Sequence, residues 1–327
     1  MKVSIIITTR NRAQFLRDSL EALRQVFVPR EIETELLIVD NGSTDDTTKV
    51  ARSVSIPGIG IRYLSEPQPG QTRARNRGIR AAAGEVIAFL DDDVRPCPGW
   101  LAEMAETVAR HSPCGVAGGV TLAPHLLRSW MTPLHRSWLA STEWLDQQDP
   151  RGMVGANMAF SRDVLARVPG FDLELGPGAL GFGDEQLFAL QLLEAGFRIV
   201  PRFGVCVEHH FDPGRLMRNS WLDAARKRGR ALAYRGHHWE HWTSRWARAR
   251  YILAAVRLSL FRRTHSMPAD QEGCSEHELN LEFENALYRA HLHERRRPRN
   301  YSFHGLVKRV PVTRPMPCLD YQPSPSR

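Results

Sequence analysis

The stretch AFLDDDVRP, residues 88–96, runs from three apolar residues straight into three consecutive aspartates. Carboxylates this close repel one another unless positive charge lies among them. Asp91 and Asp93 are two positions apart, and on an extended chain such residues point to the same side. Both can then face one cation. Two hard carboxylates that leave coordination positions open suit Mg2+ or Mn2+ shared with a diphosphate. The structural alternative is a turn that caps the helix expected near Pro98, for which one aspartate suffices.

Such a triplet needs a scaffold that delivers it to an edge. VSIIITT (3–9) is a β-branched run, as a buried parallel strand should be. RNRAQFLRDSLEALRQV follows with Phe15, Leu16, Leu20 and Leu23 at helical spacing. ELLIVDNGS is a second strand ending at Asp40, and STDDTTKVA starts a helix with Ser43 or Thr44 as N-cap. IRYLS is a third strand, GQTRARNRGIRAAAG a helix closed by Gly84, and EVIAFL the strand that carries Asp91. This alternation predicts a doubly wound, mostly parallel α/β sheet with helices on both faces. Ligands of such sheets bind beyond the strand C-termini, where Asp40 and Asp91 both fall.

The chain of 327 residues divides by charge. Residues 213–265 hold 13 Lys/Arg against 2 Asp/Glu, a net +11, whereas residues 1–212 carry a net −4. The expected organisation is an α/β unit over 1–212, a basic, mostly helical region over 213–298, and a poorly ordered tail over 299–327. Five scattered cysteines without a C-x-x-C predict neither a disulfide framework nor a zinc site. The apolar start is too short for a secretory signal, and no stretch of 18 apolar residues predicts a membrane span. A cytoplasmic protein is expected, either free or peripheral on the cytoplasmic membrane face.

Four stretches in order, VSIIITTRNR, LLIVDNGSTDDT, GQTRARNRGI with AAGEVIAFLDDDV, and GFGDEQL, resemble the family 2 glycosyltransferases of GT-A fold. The resemblance covers residues 3–210. It implies an inverting transfer of a sugar from a UDP- or dTDP-linked donor to an acceptor hydroxyl of a glycan or lipid-linked acceptor, in polysaccharide or glycolipid synthesis. It implies that Thr9 and Arg10 cradle the nucleotide and that Asp40 accepts a hydrogen bond from the nucleobase. A carboxylate only accepts, which suits the N3–H of uracil or thymine. Arg75 and Asn76 would support the nucleotide and the acidic loop. Asp91 would approach the ribose, Asp93 the metal, and Asp92 either. Asp91 and Asp93 are thus the candidate metal carboxylates, with His209 as a further ligand; the sequence does not separate His209 from His210. The general base falls on Asp184 or Glu185, behind a glycine-rich loop. The family order there is Glu-Asp and this chain reads Asp-Glu, so Glu185 stands where the family base does and either residue can serve.

Trp246, Leu253, Val256 and Leu260 lie along one helical stripe in the basic segment, with arginines nearby. Residues 215–263 are therefore a candidate contact with an anionic membrane surface, the alternative being a stripe packed on the α/β unit. No nucleic-acid recognition motif accompanies the charge, so nucleic acid is not an expected partner. Two other functions compete. A haloacid-dehalogenase-like Mg2+ phosphatase also follows four apolar residues with Asp-x-Asp, which would make Asp91 a nucleophile and Asp93 its acid. There the motif ends the first strand, and here three strands precede it. A non-catalytic sugar-nucleotide-binding protein would not need Asp184 and Glu185.

Overall fold

The computed structural model describes residues 1–265, 268 and 270–309. Its first half is β1 (Lys2–Thr9), α1 (Ala13–Leu23), β2 (Glu33–Asp40), α2 (Thr47–Ser53), β3 (Ile59–Ser65), α3 (Gln71–Ala81), β4 (Val86–Asp91), β5 (Val94–Pro96), α4 (Trp100–His111) and β6 (Cys114–Leu122). Then come α5 (Pro133–Trp138), β7 (Asn157–Ser161), α6 (Asp184–Glu194), β8 (Arg198–His209), α7 (Arg218–His238), α8 (Ala247–Thr264) and α9 (Glu276–Glu294). The eight strands form one sheet in the order β3-β2-β1-β4-β7-β6-β8-β5.

The β-branched runs are apolar throughout because both sheet faces are covered. Side chains of a strand alternate between faces. Ile5, Ile7, Leu36, Ile38, Ala88 and Leu90 join one core with Leu16 and Leu20 of α1 and Trp100 and Met104 of α4. Ile6, Leu37, Val39, Ile87 and Phe89 join the other with Ala74 and Ile79 of α3 and Phe188 and Leu192 of α6. Each fully buried aliphatic side chain of this kind contributes about 1.5–3 kcal/mol.

Strands β1 to β4 pair in parallel, as the alternation predicts. The other half is more mixed than a doubly wound sheet. β7 runs antiparallel to both β4 and β6, because the chain leaves β6, passes through α5 and re-enters the sheet reversed. Local differences also have local causes. The N-cap of α2 is Asp46, not Ser43 or Thr44, because Asp40 and Asn11 accept the Ser43 and Thr44 amides at 2.8 and 2.7 Å and hold those residues as a loop. Helix α3 ends at Ala81; Gly84 lies beyond it, tucked so close to β1 that a Cβ there would sit 2.5 Å from the Ser4 nitrogen.

The C-terminal helices share cores with the α/β unit. Trp221 and Leu222 of α7 and Leu279 of α9 pack with Leu122, Leu139 and Phe211. Tyr234 and Trp239 pack with Leu175, Leu187 and Tyr301. The expected disordered tail begins too early, since Asn300 and Tyr301 are buried. Tyr301 and Lys308 both bond Asp172, at 2.8 and 2.6 Å. Residues 310–327 of that tail lie outside the described residues.

Candidate active site

Register fixes the geometry of the strand edge. Thr9 sits opposite Asp40, and Thr8 opposite Asp91, so the ends of β1, β2 and β4 lie side by side. Here β1 has β2 on one side and β4 on the other, which is the switch point where such sheets bind ligands.

Arg75, on α3, is buried beneath this edge. Its guanidinium reaches Asp184 Oδ2 at 2.6 Å, Asp91 Oδ1 at 3.4 Å and Glu185 Oε2 at 3.6 Å. One cation thus joins the end of β4 to the start of α6. Asn76 holds the intervening loop: its side chain donates to the Phe171 carbonyl at 2.8 Å and accepts the Phe171 amide at 2.9 Å. Its amide is spent on that backbone, so Asn76 positions the loop. Gly176, at φ +81°, lets the loop lie on Asp184; a Cβ would come 2.9 Å from the carboxyl carbon.

The two acids the sequence left equivalent are not so. The Asp184 side chain is 1% exposed, whereas that of Glu185 is 28% exposed. Burial pushes the Asp184 carboxyl up, but Arg75 overrides it and holds the group below the usual range. Burial and the adjacent Asp184 charge push Glu185 well above its usual range. Asp184 is the buried anchor paired with Arg75, and Glu185 is the acid that reaches solvent.

The aspartate triplet divides between two arginines. Asp92 and Asp93 form a turn after β4, so the alternation of an extended chain does not apply. Asp91 goes to Arg75. Asp92 and Asp93 share Arg12, which approaches Asp92 Oδ1 at 2.8 Å and also pairs with Asp93. Thr9 donates to Asp92 at 2.7 Å. Burial, with Asp93 beside it, pushes Asp92 up to about 7 despite Arg12. Asp93 is held well below the ordinary range by His209 and Arg12, which overcome its burial.

β5 pairs with β8 so that Val94 opposes His209, and the His210 amide donates to the Asp93 carbonyl at 2.8 Å. This chooses His209 over His210 as the ring beside the triplet. His209 Nδ1 lies 2.8 Å from the Leu139 carbonyl, which can only accept, so Nδ1 carries the proton. Nε2 then faces Asp93 Oδ1 at 3.2 Å. In the neutral ring this sets a lone pair against a carboxylate oxygen, a conflict that a proton or a cation resolves. A divalent ion fits: the imidazole is already oriented through its other nitrogen, as metal-binding histidines are. Among the described residues, no group of three or more His, Cys, Asp or Glu is arranged to hold a metal alone. Asp93 and His209 would therefore supply part of a coordination sphere and a bound ligand the rest.

Other expected residues fare differently. Arg10 is exposed; the arginine that turns into the site is Arg12. Its signal in TTRNR was the need of three carboxylates for a nearby countercharge. Asp40 is at the edge but buried, and it accepts from the Ser43 amide, Thr48 and Tyr63 at 2.8, 2.7 and 3.0 Å. These donors hold its carboxyl below the ordinary range in spite of burial.

Two arginines of the basic segment also point inward. Arg215 and Arg228 each donate to the Trp138 carbonyl at 3.3 Å. Burial lowers both, while Asp93 and Asp91 counter it at Arg215, and Glu185 counters it at Arg228. Arg228 is pushed to about 10 and lies over the rings of Phe182 and Trp138, at 4.2 and 4.9 Å. Sequence reasoning placed both only within the basic segment 215–263, a candidate membrane contact, because composition does not say which way a side chain faces.

Known proteins resemble this chain in sequence and in fold. Residues 4–168 match the family described as Glycosyl transferase family 2. The chain is 37% identical over 108 residues to glycosyltransferase AglE of Haloferax volcanii, a segment covering 33% of this chain and 35% of that protein. It is 26% identical over 186 residues to the glucosyl-dolichyl phosphate glucuronosyltransferase of the same organism, covering 54% of this chain and 58% of that one. The matches thus span about a third to just over half of those relatives. The fold is similar to that of mannosyltransferase PcManGT from Pyrobaculum calidifontis, solved with GDP-Man and Mn2+, at a TM-score of 0.54 and 18% identity over 89% of this chain and 74% of that one. It is also similar to S. aureus TarS 1-349 in complex with UDP, at a TM-score of 0.51 and 16% identity over 90% and 92% of the two chains. With half of its length in the family match, the chain belongs to glycosyl transferase family 2.

Proposed function

We propose that this enzyme moves a sugar from a nucleoside-diphosphate donor to the hydroxyl of a glycan or lipid-linked acceptor, with inversion and with Glu185 as general base. The observation that carries this is the solvent-reaching Glu185 carboxylate held to the Asp91 end of β4 through Arg75. Ionised Glu185 takes the acceptor proton as the oxygen attacks the anomeric carbon. Arg75 keeps base and donor cleft in register. Asp93 and His209 would hold Mg2+ or Mn2+, which when bound stabilises negative charge on the departing diphosphate. Asp91 lines the donor cleft beside them, and Thr9 and Arg12 hold Asp92 in place. Arg215 is placed to add positive charge on the diphosphate side.

A nucleoside diphosphate is supported by the ligands of the two structural neighbours, which carry UDP in one and GDP-Man in the other. Asp40 would suit uracil or thymine, because its carboxylate only accepts, through the acceptor capacity that Ser43, Thr48 and Tyr63 leave. The phosphatase alternative is not favoured: Asp91 lies on the fourth strand and is tied to a buried arginine. Calorimetry with UDP, dTDP, GDP and CMP, each with and without Mn2+, tests the proposal. Metal-dependent binding of UDP or dTDP is expected. Metal-independent binding, or Mg2+-dependent phosphomonoester hydrolysis with no nucleotide binding, would overturn it.

A further inference from the structure

Helix α8 turns its apolar stripe outward. Its packing on the protein runs through the opposite side, where Ala247, Ala254 and Leu258 are buried and Arg262 pairs with the buried Glu282 of α9. Trp246, at the N-cap, is 72% exposed, Leu253 51%, Val256 49% and Leu260 56%. With Ala249 they advance by three, four, three and four residues, a straight line along one face. Ile252, 60% exposed, widens it. The helix is about 27 Å long at 1.5 Å per residue, and a ridge of this length is not scattered surface apolarity.

Helical spacing sets Arg250 and Arg257 along one flank of this ridge and Arg263 along the other. All three are exposed, and none has a carboxylate partner among the described residues. Residues 241–269 contain no Asp or Glu at all. A second copy of the chain seated on this face would bring two unpaired arginine sets together. The complementary surface is apolar beneath and anionic at its rim. No helix among the described residues is long and apolar enough to cross a membrane, so the mode is lying on the surface, not spanning it.

We propose that the outer face of α8 docks the enzyme on an anionic lipid bilayer, with Trp246, Leu253, Val256 and Leu260 entering the headgroup boundary and Arg250, Arg257 and Arg263 meeting lipid phosphates. This stands independently of the catalytic assignment. The test is flotation of the full chain with phosphatidylcholine vesicles, with and without about 30% phosphatidylglycerol. The wild type floats with the anionic vesicles and is released by high salt. Each arginine contributes about fivefold to partitioning, so Arg250→Gln with Arg257→Gln lowers it about 25-fold. Leu253→Ser with Val256→Ser lowers it at least tenfold. Both variants keep the wild-type melting temperature and metal-dependent nucleotide binding. Equal flotation with neutral vesicles, or no flotation, overturns the proposal. So does a serine pair that changes the sedimenting mass and not vesicle binding, which would make the face an interface between copies.

Discussion

Two arginines each gather carboxylates at the same sheet edge, and they do so under different conditions. Arg75 has 4% of its side chain exposed and serves Asp91, Asp184 and Glu185, from two elements. Arg12 has 29% exposed and serves Asp92 and Asp93, from one turn. The first is sealed and its charge compensation is internal. The second is open, and His209 opposes Asp93 in a way that a further cation completes. A buried pair is costly to break because the orphaned charge stays in a poor solvent; in the second cluster the carboxylates are buried too, and it is the partly exposed Arg12 that can exchange partners with water or ligand. The difference suggests one permanent clamp and one ligand-responsive site.

The largest expected effect is at the sealed clamp. Arg75→Met leaves Asp184 buried without its partner and should destabilise the fold by about 3–5 kcal/mol, read as a lowered urea midpoint. A midpoint close to wild type would break the contrast. Glu185→Gln keeps the fold but should lower transfer by about 10²–10⁴-fold, with nucleotide binding unchanged in calorimetry. Asp184→Asn should lose stability as well, which separates the anchor from the base. At the open site, Asp93→Asn should remove the Mn2+ dependence of nucleotide binding while the melting temperature without ligand shifts by a few degrees. If Mn2+ still enhances binding, Asp93 is not a ligand.

A pH profile sharpens the same contrast. A base works when deprotonated, so kcat/KM rises with pH through the Glu185 pKa. Burial and the charge of Asp184 raise that pKa well above the carboxylate range, so the acidic limb should lie above about pH 4.5. Glu185→Gln should abolish that limb along with most of the rate. A smaller effect belongs to Arg12→Gln, which should weaken donor-site binding while lowering the urea midpoint less than Arg75→Met does, since Arg12 is the more exposed of the two arginines.

Some of this was readable in the residues. The apolar β-branched runs announced buried strands, and Asp40, Asp91 and the Asp184–Glu185 pair were correctly placed at element ends. The order of motifs carried the family. Asn76 was expected to support the acidic loop, and its side chain holds the Phe171 backbone instead. The division of labour was not readable. Asp184 and Glu185 differ by burial alone, and burial depends on Gly176 and Arg75, eight and 109 residues away in sequence. Arg10 and Arg12 differ in which one turns inward. The arginines of residues 215–263 form one basic run, yet Arg215 and Arg228 feel the acidic site while Arg257 faces solvent.

What local sequence encodes is whatever repeats over a few residues: strand alternation, helical period, turn chemistry and the acids that strands deliver to an edge. That much was determined without coordinates, because these signals arise from backbone geometry within a single element. The tertiary structure decided which charges meet. The reversed entry of β7, the pairing of β5 with β8 that brings His209 to Asp93, and the outward face of α8 all depend on contacts between distant segments. Electrostatic roles follow distance and desolvation, and neither is a property of a residue until its neighbours are in place.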